Sequence, residues 1–153
     1  MDTASFLAIV AACAPLVHPA TAAAVVTVES SFNPHAIGVV GGVLERQPRS
    51  RAEAVATARS LEAGGWNYSV GLGQINVRNF ARLGLDASTA FDPCRNVAAM
   101  QAVLAECLQR QGEASQAALR RALSCYYSGN TVTGFRHGYV HRVVTAARGH
   151  AGR

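Results

Sequence analysis

The sequence predicts a mainly α-helical protein of a single domain with a small irregular β element. Half of its 153 residues are apolar, enough to bury one core. Most of the chain reads as apolar runs of helical length, opened by capping residues and closed by glycine or proline. Only Trp66 to Ile75, where Tyr68, Val70 and Leu72 alternate with small residues, reads as short extended structure and tight turns.

Helix one covers Thr3 to Cys13 and ends at Pro15. Its apolar run, Ala4 to Ala14, has Asp2 as the only early charge, so it lacks the basic start of an export signal. It is also too short to span a membrane, and it is read as a core helix. Helix two opens at Pro19, a residue suited to a first turn, and runs to Ser31. Alanine and valine surround it almost completely, which marks a buried helix. Asn33-Pro34 stops it, because the residue before a proline is pushed out of the helical region. Residues 32–48 form a loop broken by Gly38, Gly41 and Gly42. Ser50-Arg51-Ala52-Glu53 is a capping box, and the helix it starts ends at Gly64-Gly65. Asn76 caps a short helix that reaches Leu83. Asp92-Pro93 opens a helix to Gln111, in which Val97, Met100, Val103, Leu104, Cys107 and Leu108 recur at helical spacing. A further helix covers Ala114 to Cys125, Tyr126 to Asn130 form a turn, and Tyr139 to Arg148 form the last helix. One domain over 1–148 is expected, with a frayed tail over 149–153.

The formal net charge is +5, and every basic residue is an arginine. A basic balance favours an anionic partner. The arginines are scattered and the aromatics do not alternate with them, so nucleic acid is not expected. Cys13, Cys94, Cys107 and Cys125 form no C-x-x-C pair, which argues against a zinc or redox motif. Four well-separated cysteines suit two disulfides in an oxidising compartment, or four buried thiols. His137 and His141 lie four apart without a third ligand, so no metal and no cofactor are expected.

Carboxylates are scarce. Asp92 and Glu53 are explained by caps, and Glu45, Glu62, Glu106 and Glu113 lie in loops or near helix ends. Glu29 alone sits on an apolar run, beside Val26, Val28 and Phe32. It reads either as a glutamate on an exposed helix end or as a buried acid with a raised pKa. A group of the second kind can protonate a glycosidic oxygen. Standard hydrolysis needs a second carboxylate, and none is evident. Gly71-Leu72-Gly73-Gln74-Ile75-Asn76 permits close backbone approach and offers amides suited to sugar hydroxyls and N-acetyl groups, or is simply a turn and a cap. Tyr126-Tyr127-Ser128-Gly129-Asn130 offers rings for sugar faces and a hydroxyl to order an acid, or a core tyrosine before a glycine turn.

These stretches, in order with Glu29-Ser30-Ser31-Phe32-Asn33-Pro34 and Gly138-Tyr139-Val140, resemble the four motifs of the soluble lytic transglycosylase superfamily. Within it they resemble the branch attached to type IV secretion systems, as does Phe91-Asp92-Pro93-Cys94. The resemblance implies a goose-lysozyme-like fold acting on peptidoglycan strands. Glu29 matches the catalytic acid and base, which closes a 1,6-anhydro ring without water. Ser30, Ser69, Gln74, Asn76, Tyr126, Asn130 and Tyr139 match substrate-binding positions. Gly73 stands where many relatives have methionine, so a wall of the groove is expected to be missing. Tyr127-Ser128 departs from the commoner asparagine-alanine. Hydrolysis by a muramidase and a non-catalytic glycan-binding module are the alternatives. A periplasmic monomer is expected, with secretion-system subunits as further partners. Cysteine pairing is taken as Cys13 with Cys94 and Cys107 with Cys125.

Overall fold

Capping chemistry sets most of the helix starts. In the computed structural model, which describes residues 1–151, α1 covers Thr3–Cys13 and is capped by Asp2, whose carboxylate accepts from the Ser5 amide at 2.9 Å. Helix α2 is Pro19–Ser30, with Pro19 in the first turn and His18 Nδ1 accepting from the Ala20 amide. Helix α3, Arg51–Ala63, starts at Ser50, whose hydroxyl accepts from the Glu53 amide. The Glu53 carboxylate reaches back to the Arg49 amide, one residue beyond the usual capping-box partner. Helix α4, Pro93–Gln109, is capped by Asp92, and α5, Gln116–Ser128, by Ser115. A four-residue helix α6, Thr133–Arg136, precedes α7, Tyr139–Ala151.

Strands β1 (Ile37–Val39), β2 (Tyr68–Val70) and β3 (Ile75–Asn76) form an antiparallel sheet in the order β1-β2-β3. Ile37 faces Val70 across one pair, and Ser69 faces Asn76 across the other. Two single turns of 3-10 helix, Val77–Asn79 and Ala81–Leu83, follow the sheet.

The buried face of α2, Ala22 to Val26, lies at the centre of the core. It packs chiefly on α7 and also on α1, while α4 packs on α1 and α5. Phe6, Tyr68, Leu72, Phe91, Met100 and Tyr139 fill the spaces between these helices. Small alanines on α2 let the neighbours approach closely, so an almost featureless helix becomes the axis of the domain.

Four expectations change. Strand β1 forms inside the predicted 32–48 loop, because Ile37 pairs with Val70 and buries. Helix α5 does not stop at Cys125. It carries Tyr126, Tyr127 and Ser128 as helical residues, and Gly129 ends it at φ 79°. The last helix continues past Arg148 to Ala151, so 149–151 are helical; Gly152 and Arg153 of the expected tail lie outside the described residues. Finally, α2 ends before its proline acts. Ser31 and Phe32 adopt left-handed backbone at φ 52° and 62°, and the Phe32 ring packs edge-on against Phe6 and His150.

Both expected disulfides form. Cys13–Cys94 ties the end of α1 to the start of α4, and Cys107–Cys125 ties α4 to α5. They close segments with separations of 81 and 18 residues. By loop-closure entropy, removing the first costs about 4 kcal/mol and the second about 3 kcal/mol. Denaturant unfolding of the C13S/C94S and C107S/C125S variants is expected to rank in that order.

Candidate active site

Helix α2, the sheet and the end of α5 converge on one groove of about 930 Å³. Glu29 is among its lining residues, with Ser69 of β2, Ile75 and Asn76 of β3, and Tyr126 and Tyr127 of α5. The groove is shaped by the loop Gly71-Leu72-Gly73, which three helices hold through side-chain hydrogen bonds. From α2, the Ser30 hydroxyl donates to the Leu72 carbonyl at 2.8 Å. From α4, the wholly buried Asn96 accepts from the Gly73 amide at 2.8 Å and donates to the carbonyls of Val70 and Ala90. From α5, the Tyr126 hydroxyl donates to the Gly73 carbonyl at 2.6 Å. At its two glycines this loop has no room for side chains. A Cβ at Gly71 would stand 2.2 Å from the Asn96 amide, and one at Gly73 would stand 2.9 Å from the Tyr126 hydroxyl and 3.1 Å from Met100.

Burial pushes the Glu29 carboxyl up to about 7 from its ordinary 4.5. Two weaker influences oppose this, the Tyr139 phenol turned towards the carboxyl and the charge of Arg142. The Tyr139 hydroxyl is buried and makes no hydrogen bond of full geometry, so its hold on Glu29 is loose. Burial, with the Glu29 charge nearby, keeps both Tyr126 and Tyr139 neutral far above the ordinary phenol range. Tyr139 is stacked on Tyr127, with ring centroids 4.6 Å apart, and the Tyr127 hydroxyl meets His137 Nδ1 at 3.0 Å. The site therefore holds an acid that keeps its proton near neutrality, walled by phenols that stay protonated.

The transglycosylase SLT domain model matches residues 6–142. The chain belongs to this family. The "Type IV secretion system protein virB1" of Brucella abortus is 49% identical over 152 aligned residues, covering 93% of this chain and 63% of that protein. The "Protein virB1" of Rhizobium radiobacter is 40% identical, covering 97% of this chain and 63% of its own length. That of Agrobacterium fabrum is 41% identical over 140 residues. The chain thus spans about 63% of the length of the first curated relatives it matches. No solved structure matches.

Within this SLT domain, the residues singled out in the sequence divide into two groups. Glu29, Ser69, Gln74, Asn76 and Tyr126 all line the groove. Gln74, at φ 50°, donates its amide to the carbonyls of Ala36 and Gly71. Asn76 donates to Asn67 and Ser69 and caps the following turn through the Arg78 amide. Tyr139 stands behind the groove, turned to Glu29. Ser30 and Asn130 are spent on backbone: Asn130 accepts from the amides of Val132 and Thr133 and fixes the turn between α5 and α6.

Sequence reasoning missed Asn96, Asn67 and the arginines of the groove. A lone asparagine in an apolar helical run was the available signal for Asn96. Asn67 and the arginines sit in exposed-looking stretches that carry none. The glycine at 73 also differs from expectation. It does not leave a wall missing, because the Tyr126 hydroxyl and Met100 occupy the space beside it.

Glu29 makes the fold itself sensitive to pH. Folding favours its protonated form, so there is no penalty below the unfolded value near 4.5. Between about 4.5 and about 7 the unfolded chain gives up this proton while the folded chain keeps it, so stability falls as pH rises, and above about 7 the penalty is complete. Glu29→Gln removes it. The variant is expected to unfold at a higher temperature than the parent at pH 8, by no more than about 3 kcal/mol after water access to the groove is allowed for, and to match it at pH 4. Paired thermal melts at the two pH values check this.

Proposed function

We propose that this SLT domain is a peptidoglycan lytic transglycosylase in which Glu29 acts first as acid and then as base. One observation carries the reading. Of the two carboxyl groups lining the groove, Glu29 holds its proton to about 7, whereas Glu106 is committed to Arg82 through contacts of 2.6 and 2.7 Å. A salt-bridged carboxylate is a poor nucleophile, so two-carboxylate hydrolysis lacks its second member. The substrate's own hydroxyl can fill that place.

In this scheme the Glu29 carboxyl gives its proton to the oxygen joining N-acetylmuramic acid to N-acetylglucosamine, and the C1–O bond breaks. The C6 hydroxyl oxygen of the same muramoyl residue closes on C1. Its proton passes to the Glu29 carboxylate, which restores the acid and leaves a 1,6-anhydro end. No water is consumed. Tyr126 and Tyr139 hold the groove wall and the acid in register, and Ser69, Gln74 and Asn76 line the sugar path. Asn67 Nδ2 and Gln74 Oε1 make no protein hydrogen bond among the described residues, and both residues line the groove.

The names of the relatives extend the reading. As with proteins named for type IV secretion, the cleavage would open the wall locally for assembly of a secretion apparatus, whose subunits would be its partners. The two disulfides suit the periplasm. No helix among the described residues is long and apolar enough to cross a membrane. All of the groove-lining residues named here come from one chain, which suits action as a monomer.

Digestion of purified peptidoglycan followed by mass spectrometry tests the chemistry. Products lighter by one water than reducing muropeptides are expected. Reducing ends would make the protein a hydrolase, and binding without release would make it a glycan-binding module. Glu29→Gln is expected to lower the rate by roughly a thousandfold, the scale of a lost general acid. The parent's rate is expected to fall as pH rises above about 7, where the acid form is lost.

A further inference from the structure

Part of the groove wall comes from α4 and the 3-10 turns after β3. Arg78 and Arg82 come from the turns, and Glu106 and Arg110 from α4. Arg82 is paired with Glu106. Arg78 and Arg110 also line the groove, are exposed, and have no carboxylate within 4 Å among the described residues. The Arg78 backbone is set by Asn76, whose side-chain Oδ1 accepts from the Arg78 amide at 3.0 Å. Arg110 caps the C-terminal end of α4, and its Nη1 lies 3.7 Å from Cys125 Sγ of the disulfide that joins α4 to α5. Both guanidinium groups therefore spring from backbone that is held in place.

The proposed sugar path is neutral in character, built of amides, hydroxyls and phenols. Neutral sugars give two free guanidinium groups nothing to pair with. Peptidoglycan carries its negative charge on the carboxylates of the stem peptide, which hangs from the muramoyl lactyl group. We propose that Arg78 and Arg110 form an anion subsite that binds stem-peptide carboxylates, so that the enzyme selects glycan strands by their peptides as well as by their sugars. The proposal rests on the transglycosylase reading above. A guanidinium group suits this task because its planar donors match a carboxylate and it stays charged at every working pH.

The test uses intact sacculi and sacculi whose peptide carboxylates have been amidated with carbodiimide and ammonia. The parent and the R78Q/R110Q variant are compared for release of anhydro-muropeptides and for sedimentation with each type of sacculus. The parent is expected to show a kcat/KM roughly tenfold higher on intact than on amidated sacculi, the scale of losing charge-assisted contacts. R78Q/R110Q is expected to bring that ratio close to one while its melting temperature stays that of the parent. An unchanged ratio in the variant overturns the subsite, as does a parent indifferent to amidation. If the ratio is lost together with the folded state, single R78Q and R110Q variants are read in the same assay, and a parental ratio in both overturns the proposal. If nothing is cleaved but the parent sediments with intact sacculi more than amidated ones, and the variant does not, the subsite stands and the transglycosylase reading fails.

Discussion

The Gly73 peptide is gripped from both sides. Asn96 takes its amide and Tyr126 takes its carbonyl, while Ser30 takes the carbonyl of the residue before it. These are buried or part-buried bonds, and breaking one leaves a polar group unsatisfied at a cost of about 1–3 kcal/mol. Through them α2, α4 and α5 share one loop. The acid on α2, the tyrosine on α5 and the sheet residues that follow the loop are thereby fixed relative to each other. The absent side chains at Gly71 and Gly73 are part of the same device, since a Cβ at either would drive Asn96 or Tyr126 away.

The chemistry follows from that grip. A carboxyl retains its proton near neutrality only if water is kept from it, and burial is the largest influence on Glu29. A groove that takes a glycan strand, as proposed, must nevertheless stay open. Neutral phenols stand against the acid, and amide and hydroxyl side chains line the groove beside it. Tyr126 serves both sides, with its ring in the groove and its hydroxyl on the loop. The groove's other carboxylate, Glu106, is paired with Arg82.

Much of this was legible in the chain. Ser50 and Asp92 start the helices that their side chains allow, because capping is a local interaction; the caps at Asp2 and Ser115 came only with the structure. Glu29 stood out because one charge on an alanine-valine helix needs a reason. The ordered motifs then brought Ser69, Gln74, Asn76 and Tyr126 to the same site. They also named Ser30 and Asn130, whose side chains turn instead to the backbone. Sequence order gives a residue its place on the chain, but the direction of its side chain depends on the turn around it. Tyr126 and Tyr127 were read as a turn because Ser128-Gly129-Asn130 follows. The helix carries on to Ser128 because Gly129, not the tyrosines, supplies the left-handed stop.

By itself the sequence determined the helical class, most helix starts, the one candidate acid and the family, since these rest on local propensity, composition and ordered motifs. The tertiary structure alone decided how dry that acid is, which polar side chains face the groove, and which arginines remain unpaired. Each of those depends on contacts between residues distant in the chain, such as Asn96 with Gly73 and Arg82 with Glu106. Desolvation and pairing are properties of a packed neighbourhood, and no single stretch of sequence contains one.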